Sequence, residues 1–248
     1  MKAILKIKQK GILAGMNIAE MIFKLLEPNC TLTTYKSDGD NMQKGEVAFE
    51  INASIHTILK GERVVLNCMQ RMSGIATLTN TYVQKLNGYR TKILDTRKTT
   101  PNFRLLEKQA VAIGGATNHR FGLYDMIMLK DNHIDFAGGI TLAIAKTKAF
   151  LKENNLDLKI IVEARDLEEI KEILQSEGVH RILIDNFNYE DTRKAIALIG
   201  NKCQTESSGN INETTIRQYA ECGVDYISSG ALTHSVANMD LSLKAIKA

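Results

Sequence analysis

Asp95-Thr96-Arg97-Lys98-Thr99-Thr100-Pro101 joins a short β-prone run, Thr91-Lys92-Ile93-Leu94, to Phe103-Arg104-Leu105-Leu106, which has helical character. Two adjacent cations among three threonines on a strand-to-helix turn are poor core material. They suit an anion with several oxygens, because Arg offers a planar fork and Lys a compact charge. An isolated Arg-Lys pair is more often a solvated basic turn. Here the same strand-to-helix step recurs down the chain, and the recurrence decides the fold.

Candidate strands fall at residues 91–95, 126–130, 159–163, 181–185, 203–207 and 225–228. Amphipathic helical runs lie between most of them, such as Leu167 to Gln175, Tyr189 to Ile199 and Glu213 to Cys222. Alternation of this kind implies parallel strands with right-handed crossovers, and the mostly continuous apolar runs imply strands covered on both faces. A closed barrel and an open doubly wound sheet both fit. No Gly-x-Gly-x-x-Gly fingerprint follows the first strand and no phosphate-loop Lys motif is present, which disfavours the open nucleotide-binding sheet.

Upstream the rhythm differs. Lys2 to Lys8 alternates apolar and polar residues as a strand does, Gly11 and Gly15 break it, and Asn17 can cap a helix through Leu26. Thr31 to Tyr35 and Gly45 to Ile51 are β-prone, with the turn Ser37-Asp38-Gly39-Asp40 between them. Ser54 to Leu86 has helical periodicity, with Ser73-Gly74 as a natural interruption.

The chain of 248 residues is long enough for one large domain, or a large and a small one, and carries a net charge of 32 − 28 = +4. That charge suits acidic small molecules and is too weak to argue for nucleic acid. Four scattered cysteines (Cys30, Cys68, Cys203, Cys222) show no metal or redox spacing and fit thiols in a reducing cytoplasm. Lys2, Lys6, Lys8 and Lys10 interrupt the only apolar run near the start, so neither a secretory signal nor a membrane span is expected.

The strands end on Asp95, Lys130, Glu163, Asp185, Ser207-Ser208 and Ser228-Ser229, each polar directly after an apolar run. In a barrel such ends converge on one mouth, where the active site sits. The cations are Arg97, Lys98 and Lys130, joined by His119 and Arg120 from the loop Gly114-Gly115-Ala116-Thr117-Asn118. Glu163 and Asp185 offer oxygen ligands suited to Mg²⁺, although salt-bridging inside the cationic cluster explains either carboxylate equally well. Ser208-Gly209-Asn210 and Ser229-Gly230-Ala231 are turns whose backbone N–H groups can seat phosphate. His133 and His234, near strand ends, read as supporting residues, and His56 as structural.

These residues resemble the quinolinate phosphoribosyltransferase family, the carboxylating nicotinate-nucleotide pyrophosphorylases of NAD synthesis. The likeness spans Gly11-Ile12-Leu13-Ala14-Gly15 to Gly230-Ala231-Leu232-Thr233-His234-Ser235. Its most specific parts are Glu62-Arg63 with Leu66-Asn67, Gln70-Arg71-Met72-Ser73-Gly74-Ile75-Ala76-Thr77, Asp95-Thr96-Arg97-Lys98-Thr99, Asn118-His119-Arg120 and Leu129-Lys130-Asp131-Asn132-His133. The resemblance implies an incomplete, seven-stranded-type α/β barrel (residues 74–235) with a small α+β, sandwich-like N-terminal domain (residues 1–73), which residues 236–248 can rejoin. It also implies a homodimer or a hexamer (a trimer of dimers), each site borrowing an arginine at the position of Arg71. Arg97, His119, Arg120 and Lys130 match the quinolinate-holding residues, and Lys98 with Lys130 the phosphoribosyl-pyrophosphate contacts. Glu163 and Asp185 match the acidic pair near Mg²⁺ and the ribose, and Ser208, Gly209 and Gly230 the phosphate turns.

Departures are few. The family usually carries a further N-terminal segment with an Asp-x-Thr element, upstream of the first residue here. Asn102, Asn210 and Ala116 stand where glycine is usual, and Asn tolerates left-handed backbone better than most residues. A related branch associated with molybdenum-transport genes shares many of the motifs. A Schiff-base lyase using Lys130 is the rival chemistry, and it requires an apolar pocket around that lysine.

Overall fold

A computed structural model describes residues 1–246. In chain order its first elements are β1 (Lys2–Ile7), β2 (Gly11–Ile12), α1 (Met16–Leu26), β3 (Thr31–Thr34), β4 (Asn41–Met42), β5 (Val47–Asn52) and α2 (Ile55–Lys85). Next come β6 (Lys92–Leu94), α3 (Arg104–Ile113), β7 (Ile127–Leu129), α4 (Asp131–Ala137), α5 (Ile140–Glu153), β8 (Ile160–Ala164) and α6 (Leu167–Leu174). The last are β9 (Arg181–Asp185), α7 (Tyr189–Ile199), β10 (Gln204–Ser208), α8 (Ile216–Glu221), β11 (Tyr226–Ser228), α9 (Ala231–His234) and β12 (Leu241–Ile246). They form two compact units. Unit 1 holds Met1–Val83, Lys98–Thr117 and the chain from Gly230; unit 2 holds Gln84–Arg97 and Asn118–Ser229.

Unit 1 is built on an antiparallel sheet, β12-β1-β5-β3, in which the end of the chain pairs with its beginning (Lys2 opposite Ile246, Ile7 opposite Leu241). Alternation along β1 buries Ala3, Leu5 and Ile7 against Phe23 of α1, Phe49 of β5 and Val65, Leu66 and Met69 of α2. Phe23 and Phe49 meet edge to face with centroids 6.3 Å apart. Helix α1 starts at Met16 rather than behind an Asn17 cap: the Met16 N–H donates to Asp38 Oδ1 at 2.9 Å. A carboxylate on a neighbouring turn thus does the capping expected of Asn17.

Helix α2 runs without a break through Ser73-Gly74. The two small residues serve packing instead. Ser73 Oγ accepts the Ala14 N–H at 3.0 Å and donates to Ala14 O at 3.2 Å. A Cβ on Gly74 would stand 2.3 Å from Ala237 O. Periodicity showed a weak point in the helix, whereas tertiary packing requires the gap.

Unit 2 is a six-stranded parallel sheet in the order β6-β11-β10-β9-β8-β7, with helices as crossovers. All six expected strands are present. Among the described residues the ladder does not close between β7 and β6, so the barrel is incomplete, with six strands rather than seven. Ile160, Val162, Ala164, Ile182 and Ile184 pack on the helices, while Met128, Ile161 and Leu183 pack together on the other face. Because side chains alternate with a period of two, Glu163, Asp185 and Ser208 share the face of Ile161 and Leu183.

Gly74→Ala separates the two readings of this helix. A mere interruption would gain up to about 1 kcal/mol from helix propensity; overpacking against Ala237 should instead cost about 1–3 kcal/mol. The shift of the urea midpoint decides between them.

Candidate active site

In unit 2 the inward strand ends meet. Lys130, one residue past β7, donates from Nζ to Glu163 Oε2 at 3.2 Å across the β7–β8 pair. Asp185 at the end of β9 accepts from Ser208 Oγ at 2.5 Å through Oδ1 and from Asn186 Nδ2 at 2.6 Å through Oδ2. A Cβ on Gly209 (φ +90°) would fall 2.1 Å from Asn186 Oδ1, so only glycine lets the turn after β10 lie against Asn186. Ser207, adjacent in sequence, is buried on the opposite face, which leaves Ser208 as the serine of this site.

The second group comes from the loop before β7. Arg120 is 8% exposed and donates from Nη1 to Met126 O at 3.1 Å. Burial first, and then the like charge of Arg97, hold its guanidinium below the ordinary arginine value. Arg97 itself is exposed, and its charge works against that of the buried Arg120. The loop is pinned on both sides: the His119 N–H donates to Asp95 Oδ1 at 2.7 Å, and Asp125 accepts the N–H groups of Phe121 and Gly122 at 2.6 and 2.9 Å. His119 Nδ1 accepts the Arg120 N–H at 2.6 Å, and its Nε2 lies 3.3 Å from Glu206 Oε2. Glu206 and its partner Arg181 were missed in the sequence; the available signal was a charged residue inside a short central strand. His133 Nδ1 accepts the Lys130 N–H at 3.1 Å at the start of α4, a supporting role.

Unit 1 carries its own cluster. Lys98 Cδ lies 3.0 Å from where a Gly230 Cβ would stand, and Lys98 O accepts from Thr233 Oγ1 at 2.9 Å, so the lysine stem lies on the turn that opens α9. Asn102 and Asn210 adopt φ +60° and +51°, so both take left-handed backbone. Ala116 needs none and donates to Val111 O at 3.2 Å.

Arg71 corrects an expectation. Its guanidinium donates to Glu107 Oε1 from Nε (3.1 Å) and Nη2 (2.8 Å), to Val236 O from Nη1 (3.2 Å), and to Thr233 O from Nη2. Four hydrogen bonds within its own chain make it a structural anchor rather than a side chain reaching into a neighbour. Arg63, eight residues earlier on α2, has a side chain 73% exposed with Glu62 as its ion-pair partner.

The two carboxylates Glu163 and Asp185 fit Mg²⁺ in kind. They are oxygen donors on neighbouring strands, and Mg²⁺ characteristically takes one or two carboxylates and completes its shell with water and substrate phosphate. Among the described residues no cluster of three or more His, Cys, Asp or Glu side chains could hold a metal by itself. No helix among them is long and apolar enough to cross a membrane.

An incomplete α/β barrel with cations, carboxylates and phosphate-type turns at its strand ends defines an enzyme for anionic substrates. The chain matches the model of the quinolinate phosphoribosyl transferase N-terminal domain over residues 1–73 and that of the C-terminal domain over residues 75–244. It is 43% identical over 251 residues to the carboxylating, chloroplastic nicotinate-nucleotide pyrophosphorylase of Arabidopsis thaliana, covering 96% of this chain and 72% of that protein. It is 43% identical to the mitochondrial, decarboxylating quinolinate phosphoribosyltransferase 2 of Nicotiana glauca, with 96% and 71% coverage. NadC of Streptococcus pyogenes superposes with a TM-score of 0.92 at 42% identity, covering 98% of this chain and 85% of that one. The chain belongs to the quinolinate phosphoribosyl transferase family and is a phosphoribosyltransferase of NAD biosynthesis.

Arg71→Ala should strip the partner from a fully buried carboxylate and destabilise the protein by about 3 kcal/mol or more. Chemical denaturation measures it; a change below about 1 kcal/mol would return Arg71 to the candidates for substrate contact.

Proposed function

We propose that the enzyme joins quinolinate to phosphoribosyl pyrophosphate and releases nicotinate mononucleotide, CO₂ and pyrophosphate, with Arg97, Arg120 and Lys130 holding the two carboxylates. The observation that carries this reading is the buried Arg120 guanidinium, which feels the like charge of Arg97, in the same unit as the Lys130–Glu163 ion pair. Fixing both carboxylates aims the pyridine nitrogen at the anomeric carbon of the ribose. The nitrogen lone pair forms the new C–N bond as the C–O bond to pyrophosphate breaks. We assign phosphate contacts to Lys98 with Gly230 and to Ser208 with Gly209, and ribose contacts to Glu163 and Asp185. Those two carboxylates would also hold Mg²⁺, which neutralises charge building on pyrophosphate. Once alkylated, the ring nitrogen is cationic and stabilises the carbanion left when the adjacent carboxylate departs as CO₂. No side chain need act as a strong base.

A Schiff-base role for Lys130 has no support, since the lysine is 47% exposed and ion-paired rather than enclosed by apolar side chains. A cytoplasmic setting agrees with four free thiols. We further propose a dimer or a multiple of it, with Arg63 in place of Arg71 as the arginine offered to a neighbouring subunit.

The direct test supplies quinolinate, phosphoribosyl pyrophosphate and Mg²⁺ and reads CO₂ and nicotinate mononucleotide. Nicotinate in place of quinolinate should be turned over poorly, and equal use of both would remove the second carboxylate from recognition. Lys130→Ala should lower turnover by about 10²–10³-fold, the typical effect of losing one preorganised charged donor. For the composite site, Arg63→Ala and Lys130→Ala subunits should each be nearly inactive, and their mixture should regain about a quarter of the wild-type rate, since half the dimers are mixed with one intact site in two. No recovery after verified exchange would leave Arg63 serving its own subunit.

A further inference from the structure

Asn186 follows the last residue of β9 with a left-handed backbone, φ +58°. The residue is exposed, yet its N–H and both ends of its amide are used within unit 2. The backbone N–H donates to Ser208 O at 2.9 Å, carrying the β9–β10 ladder one step past the register pair Asp185 and Ser208. Nδ2 donates to Asp185 Oδ2 at 2.6 Å, and Oδ1 accepts from Asn210 Nδ2 at 3.3 Å. Ser208 Oγ closes the ring by donating to Asp185 Oδ1 at 2.5 Å.

Chemistry fixes which way the amide turns. A carboxylate oxygen only accepts, so the NH₂ group must face Asp185, which leaves the carbonyl for Asn210. That carbonyl is also what excludes a side chain at Gly209, whose Cβ would stand 2.1 Å from it. The position needs left-handed backbone, a donor on one side and an acceptor on the other. Asparagine is the short side chain that meets all three demands.

We propose that Asn186 is a positioning residue for phosphoribosyl pyrophosphate: its amide holds the plane of the Asp185 carboxylate and the turn Ser208-Gly209-Asn210 as one block. It acts through these groups and touches no reacting atom. The inference rests on the assignment of Asp185 to the ribose and of Ser208 with Gly209 to phosphate. A carboxylate free to rotate would face the ribose in only a fraction of its conformers, and apparent affinity falls by that fraction. The arginines and lysine assigned to the carboxylates of quinolinate make none of these contacts, so the effect is confined to one substrate.

The first test needs no ligand. In ¹H–¹⁵N spectra of the enzyme, the Asn186 side-chain amide, assigned by its loss in Asn186→Gly or Asn186→Asp, should exchange slowly with solvent and shift when Asp185→Ala removes the acceptor. An amide that exchanges as freely as other exposed asparagines would overturn the proposal. Calorimetry then measures binding of phosphoribosyl pyrophosphate with Mg²⁺ and, separately, of quinolinate. Asn186→Gly keeps the left-handed turn without strain and removes only the amide. It should weaken phosphoribosyl pyrophosphate binding about tenfold, the usual scale for losing an orienting partner, and quinolinate binding by less than about twofold. Equal losses for both ligands, or no loss for either, would mark Asn186 as merely structural. Asn186→Asp tells orientation from space-filling, since it keeps the shape but turns a carboxylate oxygen on Asp185. It should bind phosphoribosyl pyrophosphate more weakly than Asn186→Gly, and affinity close to wild type would show that shape alone matters. Failure of the wild-type enzyme to bind phosphoribosyl pyrophosphate would overturn the substrate reading itself, and the amide spectrum tells that failure apart from this one.

Discussion

A carboxylate shut away from water must find partners, because stripping its hydration costs several kcal/mol. Each unit has such a group tying its loops together. In unit 1 Glu107, fully buried, accepts from Arg71, from the Thr100 N–H at 3.0 Å and from Thr100 Oγ1 at 2.9 Å. In unit 2 Glu206 takes Arg181 and His119. The partners are not arbitrary: Thr100 stands two residues after Lys98, and His119 one residue before Arg120. In both units a buried negative charge holds a loop that carries a cation proposed for substrate binding. Burying these glutamates contributes little net stability by itself. Its effect is to make each loop conformation obligatory, since any other leaves a buried charge without a partner.

The parallel unit was legible because most of its strands are apolar on both faces and end abruptly in polar residues; β10, Gln-Thr-Glu-Ser-Ser, is the exception. Ile160-Ile161-Val162 and Ile182-Leu183-Ile184 announce themselves, and the next residues, Glu163 and Asp185, stand at the site. What stayed hidden depended on distant partners. Asp38 caps α1 from a turn more than twenty residues away, and nothing near Asn17 reveals that its expected role is already filled. Gly74 looked like a helix break because propensity is local, whereas the Ala237 carbonyl that needs the space is far along the chain. Arg71 belongs to a specific motif, but the motif does not say whether its guanidinium turns inward to Glu107 or outward. Glu206 sits between Thr205 and Ser207, and only the sheet register reveals Arg181 and Tyr226 beside it.

Backbone geometry followed sequence more closely. Asn stands at left-handed turns at positions 102, 186 and 210, where its short amide makes such geometry tolerable. Asn186 then does a second thing: its amide donates to Asp185 and accepts from Asn210 Nδ2 at 3.3 Å, tying the turns after β9 and β10 together. Gly209 has no such freedom, since any side chain there would collide with that amide. Asn102 and Asn210, which stand where glycine is usual, therefore keep the left-handed shape, and Asn210 also gains a hydrogen bond.

The chemistry sets opposite demands on the cations. Departure of pyrophosphate is helped by positive charge already in place, the role proposed for Lys98 on the Gly230 turn. Loss of CO₂ is hindered by any cation gripping the carboxylate that leaves, because its charge passes into the ring and CO₂ is neutral. Only interactions that strengthen toward the transition state accelerate a step. A uniformly strong clamp would bind quinolinate well and release CO₂ slowly. A graded one would avoid that conflict: under the proposed assignment the buried Arg120 would grip one end, and the half-exposed Lys130, already shared with Glu163, would hold the other less tightly. The unequal burial of Arg120 and Lys130 suits the proposed assignment, in which one carboxylate is kept and the other discarded.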